Sequence, residues 1–165
     1  LASAICQSKE ELAEAVDRTY ELTDKPFAVN INLFPAMRAV DNNEFVDVLI
    51  DKGVKIVETA GRSPEPFMDR FKEAGIKVIH KCVAVRHALK SERIGVNVVS
   101  IDGFECAGHP GEQDVGGLVL FPAAAQALKI PVVASGGIAD GRGLAAHGGD
   151  LAAGRPRPAD ARRPP

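Results

Sequence analysis

The sequence predicts an α/β protein built around a parallel sheet, and three observations carry that expectation. Stretches with strand periodicity alternate with stretches of helical periodicity along most of the 165 residues. A helix, a glycine and a short β-branched strand follow one another at Gly53, Gly75 and Gly95. Their spacing of about 20 residues is one strand plus one helix, the repeat of a βα unit with right-handed crossovers. Each of these glycines stands where a helix would end in the left-handed conformation, which glycine adopts without a Cβ penalty.

The elements follow in order. Residues 1–6 count as a strand. Ser8-Lys9-Glu10-Glu11 has the form of a capping box, and Leu12, Ala15, Val16 and Leu22 follow near helical spacing. Pro26 breaks this helix, and residues 27–33 read as a strand. Residues 43–52 are a helix with Phe45, Leu49 and Ile50 apolar and Gly53 at its end; residues 54–59 are the next strand. Ser63-Pro64 places a cap residue and an N1 proline in the preferred order for a third helix, with Phe67 and Phe71 on one face and Gly75 at the end. Residues 76–83 are a strand, 84–93 a helix and 96–101 a strand. A helix over 122–128 and a strand over 131–134 complete six strands. Two architectures accommodate them: an open doubly wound sheet, and a (β/α)8 barrel, which needs two more strands and typically about 250 residues.

Composition sets the class. A chain of this length suits one domain with a real core, and 45% hydrophobic with 25% charged residues is ordinary for a globular protein. The net charge of −2 gives no global attraction to nucleic acid or anionic membrane. No apolar run approaches the roughly 20 residues that span a bilayer. The first residues lack an initiator methionine and a basic region, so the chain reads as entered part-way, without a signal peptide. Cys6, Cys82 and Cys106 have no metal-ligand spacing, and an odd count suggests reduced thiols in a cytoplasmic setting.

The chemistry concentrates after the strand over 96–101. Gly103-Phe104-Glu105-Cys106-Ala107-Gly108-His109-Pro110-Gly111-Glu112 holds three glycines, two carboxylates, a thiol and an imidazole. Loops at strand ends carry function while the scaffold stays rigid. His109 is the residue there that exchanges a proton near neutral pH, and Glu105 and Glu112 flank it. Asp102, at the strand's end, can orient the loop through backbone N–H groups. Ala134-Ser135-Gly136-Gly137-Ile138 places small residues between a strand and a helix, where exposed N–H groups make an anion site or simply a tight turn. Asn30 stands mid-strand, where a buried polar group needs a partner. Lys81 closes its strand, within reach of a phosphate or a ring, or merely of solvent.

Five motifs in order resemble the nitronate monooxygenase family, formerly called 2-nitropropane dioxygenases. They are residues 102–112, Pro26-Phe27-Ala28-Val29-Asn30, Val57-Glu58-Thr59-Ala60-Gly61, Val78-Ile79-His80-Lys81-Cys82 and Ala134-Ser135-Gly136-Gly137-Ile138. The similarity covers residues 1–146 and is close to bacterial members that include NADH:quinone reductases. It implies a TIM (β/α)8-type barrel with FMN as cofactor, here incomplete: about six βα units, with the first and last strands missing. It implies that Asn30, Lys81, Asp102, Gly108, Ser135, Gly136 and Gly137 contact FMN and that the catalytic residue is His109. The implied reaction takes an alkyl nitronate and O2 to a carbonyl compound and nitrite; the alternatives are NADH:quinone oxidoreduction on the same FMN site and an inactive chain. Neither metal, nucleic acid nor membrane is implied.

Residues 147–165 depart from this pattern. They hold four prolines, four arginines, four alanines and three glycines, with Leu151 the one large aliphatic residue. Such a stretch cannot bury a face and is expected to be disordered. It reads as a non-native extension, the product of a shifted frame in GC-rich DNA, with a basic binding tail as the other reading. The family's last phosphate loop would stand in its place, and its first flavin loop would precede Leu1.

Overall fold

A computed structural model describes residues 1–34, 41–108 and 113–151. Among these residues five strands form one parallel sheet: β1 (Ala28–Asn32), β2 (Ile56–Ala60), β3 (Lys77–Cys82), β4 (Val98–Asp102) and β5 (Val132–Ser135). The described residues also hold six α-helices: α1 (Lys9–Leu22), α2 (Asn42–Asp51), α3 (Met68–Glu73), α4 (Val85–Arg93), α5 (Gly117–Ala127) and α6 (Gly141–Leu151). The strand order β1-β2-β3-β4-β5 follows the chain without reversal. A doubly wound sheet reverses its order at a switch point, whereas sequential winding is the order of a (β/α)8 barrel. The strand order therefore decides between the two architectures in favour of the barrel type.

The helix ends are built as the glycine pattern predicts. Gly53, Gly75 and Gly95 have φ of 67°, 69° and 91°. At the first of these, Gly53 N donates to the Ile50 carbonyl and Val54 N to the Leu49 carbonyl, both at 3.0 Å. This double closure satisfies carbonyls at the end of α2 and turns the chain straight into β2. The same pair of bonds recurs from Gly75 and Ile76 and from Gly95 and Val96. At the other end of the chain's first helix, Ser8 Oγ accepts from Glu11 N at 3.3 Å. The Glu11 carboxylate reaches Gln7 N at 2.7 Å, one residue before the position a capping box uses.

Three elements differ from expectation. Residues 1–6 are not a sixth strand: Ala2 alone bridges to Asn30, and Ser3–Ile5 form a 3-10 turn closed by Cys6 N on the Ser3 carbonyl. That turn and the cap of α1 at Ser8 leave no length for a ladder. The third helix is preceded by a 3-10 turn, Glu65–Phe67, and regular α geometry begins at Met68. Helix α5 begins at Gly117, not at residue 122, and Pro122 lies inside it. Proline there removes one helical donor. Burial of Leu120, Phe121 and Ala124 holds the helix nonetheless.

Helix α6 starts at a cap, Asp140 Oδ1, which accepts from Arg142 N at 2.9 Å and Gly143 N at 3.1 Å. It continues past the expected boundary at residue 146, and the His147 ring packs edge-on against Phe121, centroids 4.9 Å apart. Residues 152–165, and with them the expected disorder, lie outside the described residues. Among the described residues no helix is long and apolar enough to cross a membrane.

The two faces of the sheet differ in burial. Val29, Ile31, Val57, Thr59, Val78, His80, Val99 and Ile101 are buried and join the core with α1, α2, α3, α4 and α5. The alternate residues Asn30, Glu58, Ile79, Lys81 and Val98 are only partly covered. Successive strand residues point to opposite faces, so each strand sends one set to the helices and the other to an open polar face.

Candidate functional site

The open face gathers polar groups at the carboxyl ends of the strands. Asn30 pairs in register with Glu58, Lys81 with Ser100, and Asp102 with Ser135. Residues paired in register in a parallel sheet share a face, so all six groups line one surface. Their contacts form a chain. Asn30 Nδ2 donates to Glu58 Oε2 at 2.9 Å. Lys81 Nζ stands 3.7 Å from Glu58 Oε1 and 3.8 Å from Asp102 Oδ2. One ammonium thus lies between two carboxylates contributed by β2 and β4.

Asp102 is the most buried charged member, 8% exposed. Its Oδ1 is buried and has no hydrogen-bond partner among the described residues. Burial pushes its carboxyl above the ordinary value, against the pull of Lys81 and the Ser135 hydroxyl.

His80 and Lys81 are neighbours that serve opposite faces. His80 points into the helix side, where its Nδ1 lies 2.8 Å from Thr59 Oγ1. Burial pushes this imidazole down to about 4, so it stays neutral at physiological pH. Cys82, on the same side, lies 3.5 Å from Ser91 Oγ, and burial pushes its thiol up to about 11. Such a thiol is no nucleophile near neutrality.

The loops after β4 and β5 are packed on each other. Gly103 N donates to the Ser135 carbonyl at 2.9 Å. A Cβ placed on Gly136 would lie 2.8 Å from Cys106 Cβ, and one on Gly137 would lie 3.3 Å from Glu105 Cβ. Both glycines also need positive φ, 85° and 78°. Their identity is therefore required by the turn and by the close approach of residues 105–106.

Two expected roles change. Among the described residues, the first N–H of the loop, that of Gly103, goes to the Ser135 carbonyl and not to the Asp102 side chain. Glu105 turns onto the start of α5, where its carboxylate accepts from Gly117 N at 3.0 Å. Its own backbone N–H and that of Gly117 hold the carboxyl below its usual value. Gly108 ends the described part of this loop with φ of 90°. His109 and Glu112 lie outside the described residues.

The structure thus brings Asn30, Lys81, Asp102 and Ser135 to one face, with Gly136 and Gly137 directly after Ser135. The residue that sequence reasoning left out of the site is Glu58. Its signal was the alternation Val57-Glu58-Thr59: a carboxylate between two core positions must face the other side.

Comparison with known proteins places this polar face in a family. The model for "Nitronate monooxygenase" matches residues 34–154, well over half of the chain. The chain belongs to the nitronate monooxygenase family. Over 136 residues it is 40% identical to the (3aS,4S,5R,7aS)-5-hydroxy-7a-methyl-1-oxo-octahydro-1H-indene-4-carboxyl-CoA dehydrogenase of Rhodococcus jostii (strain RHA1), covering 82% of this chain and 37% of that protein. Over 180 residues it is 29% identical to a "Probable nitronate monooxygenase" of Staphylococcus saprophyticus subsp. saprophyticus, covering 84% of this chain and 51% of that protein. FabK from Thermotoga maritima superposes with a TM-score of 0.78 at 35% identity, covering 87% of this chain and 44% of that one. The chain spans 37% to 40% of the length of the first curated proteins it matches. Its neighbours in structure are TIM barrels, so the five strands are part of a sheet of that type. The polar face is the side of the sheet that lines the interior of such a barrel, at the carboxyl-end rim where barrel chemistry is placed.

Proposed function

We propose that this chain carries part of an FMN site for the oxidation of alkyl nitronates, with O2 as the co-substrate and a carbonyl compound and nitrite as products. The observation that carries the reading is Lys81, set between the Glu58 and Asp102 carboxylates on the open face at the strand ends.

The residues present fit such a cofactor. A flavin ring edge carries both carbonyl acceptors and an N–H donor. Lys81 supplies a donor, and the Asn30 side-chain oxygen and the buried, unpartnered Asp102 Oδ1 supply acceptors. The turn at Ser135, Gly136 and Gly137 is the place for the phosphate, beside the start of α6, with Gly108 at the rim. Bound FMN would supply the electron chemistry, while the protein supplies position and charge. Lys81 would place positive charge beside the ring, and Asp102 would fix the ring's orientation. His109 would take a proton from a neutral nitroalkane or hold the anionic nitronate in place.

The 40% identity to the carboxyl-CoA dehydrogenase favours a second reading, in which the same site oxidises a coenzyme A thioester. An FMN titration followed by absorbance and flavin fluorescence tests both. The expected result is saturable binding at one FMN per chain. Anaerobic bleaching by an alkyl nitronate supports the first reading, bleaching by the thioester the second, and bleaching by NADH an NADH:quinone oxidoreductase. A chain that remains folded and binds no FMN overturns the flavin site.

A further inference from the structure

We infer that Glu58 is the positioning residue of this face: its carboxylate sets Asn30 and Lys81 in one arrangement before a cofactor arrives. The inference rests on the flavin reading above and adds to it a residue that contacts neither ring nor substrate.

The geometry is asymmetric in a useful way. Glu58 Oε2 accepts from the Asn30 amide at 2.9 Å, and its other oxygen, Oε1, faces Lys81 Nζ at 3.7 Å. Each oxygen thus serves a different strand, β1 on one side and β3 on the other. Asn30 and Glu58 are partners in register, which fixes the first contact through the backbone ladder. The amide of Asn30 has a carbonyl oxygen and an NH2 group, and either end can point outward. A carboxylate only accepts, so Glu58 draws the NH2 end toward itself and leaves the carbonyl oxygen for a donor on a ligand. Lys81 is drawn between Glu58 and Asp102 and kept from extending into solvent. A long flexible ammonium held in advance loses less conformational freedom when a ligand binds.

Removal of Glu58 frees both groups. Glu58→Ala is expected to weaken FMN binding about tenfold, the coupling typical of residues in one hydrogen-bond network. In an Asn30→Ala, Lys81→Met background the same substitution is expected to change binding little, because there is nothing left to position. The side-chain amide resonances of Asn30, read by NMR without FMN, are expected to move in Glu58→Ala and to return toward the parent positions in Glu58→Gln, whose carbonyl oxygen still accepts. An equal loss of affinity in both backgrounds, accompanied by a lower melting temperature, means a structural role and overturns the inference. Unchanged affinity in Glu58→Ala, or unmoved Asn30 resonances, overturns it as well. Absence of FMN binding in the parent chain overturns the flavin reading and this inference together, whereas normal binding that ignores Glu58 overturns only the inference.

Discussion

Lys81 Nζ lies 3.8 Å from Asp102 Oδ2, yet the Asp102 carboxyl is raised above its ordinary value of 3.8. Burial outweighs the ammonium, because Lys81 remains partly solvated while Asp102 is 8% exposed. A carboxyl with a raised folded pKa destabilises the fold at pH values above both its folded and unfolded pKa, where it must ionise in place. Asp102→Asn is therefore expected to melt at a higher temperature than the parent at pH 8, with the difference shrinking as pH falls toward 4. The same variant is expected to weaken FMN binding by roughly tenfold or more, the cost of losing a hydrogen bond to a charged acceptor. Thermal scans across this pH range, beside a flavin titration, check both; a melting difference that grows toward acid would sink the burial argument.

His80 makes the opposite pH signature. Its folded pKa of about 4 lies below the ordinary 6.5, because burial beside Thr59 disfavours the imidazolium. The unfolded chain takes up the proton first. This residue's contribution is thus intact above pH 6.5 and declines as pH drops from 6.5 to about 4, by up to about 3 kcal/mol. Replacing both partners, Thr59→Val with His80→Leu, leaves no unpaired polar group behind. Urea denaturation at pH 7 and pH 4.5 is expected to show a clearly smaller acid loss in this double variant. Equal losses in both proteins would mean that His80 is protonated in the fold.

Local chemistry was legible in the sequence wherever one residue decides the outcome. Gly53, Gly75 and Gly95 end helices because only glycine takes their φ cheaply, and the repeat they mark gave the parallel winding. Asn30, Lys81 and Asp102 stood out as polar residues in apolar strands. What escaped depends on register or on distant partners. Alternation with Val57 and Thr59 sends Glu58 to the open face, but only the register of β2 on β1 sets it against Asn30. Glu105 leaves the neighbourhood of its loop to reach Gly117, twelve residues on, which no local pattern encodes. Pro122 suggested a helix start, and tertiary burial of Phe121 and Ala124 overrode that local signal.

The packing of residues 103–108 against the β5 turn separates two glycines that the backbone alone treats alike. Gly53 and Gly136 both have positive φ, 67° and 85°. Around Gly53 an added Cβ meets nothing within 4 Å, so Gly53→Ala is expected to lose only the left-handed strain, about 1–2 kcal/mol. At Gly136 the Cβ would lie 2.8 Å from Cys106 Cβ and 2.9 Å from Cys106 Cα. Overpacking against backbone adds roughly 1–3 kcal/mol to the strain, so Gly136→Ala should be clearly the worse variant. Adding Cys106→Gly should rescue little, because the backbone atom 2.9 Å away stays in place when the side chain is gone. Urea midpoints of the three variants read this directly. Equal losses at Gly53 and Gly136 would show that the two loops do not meet. Full rescue by Cys106→Gly would show that the side chain, not the backbone path of the loop toward Gly108, sets the fit.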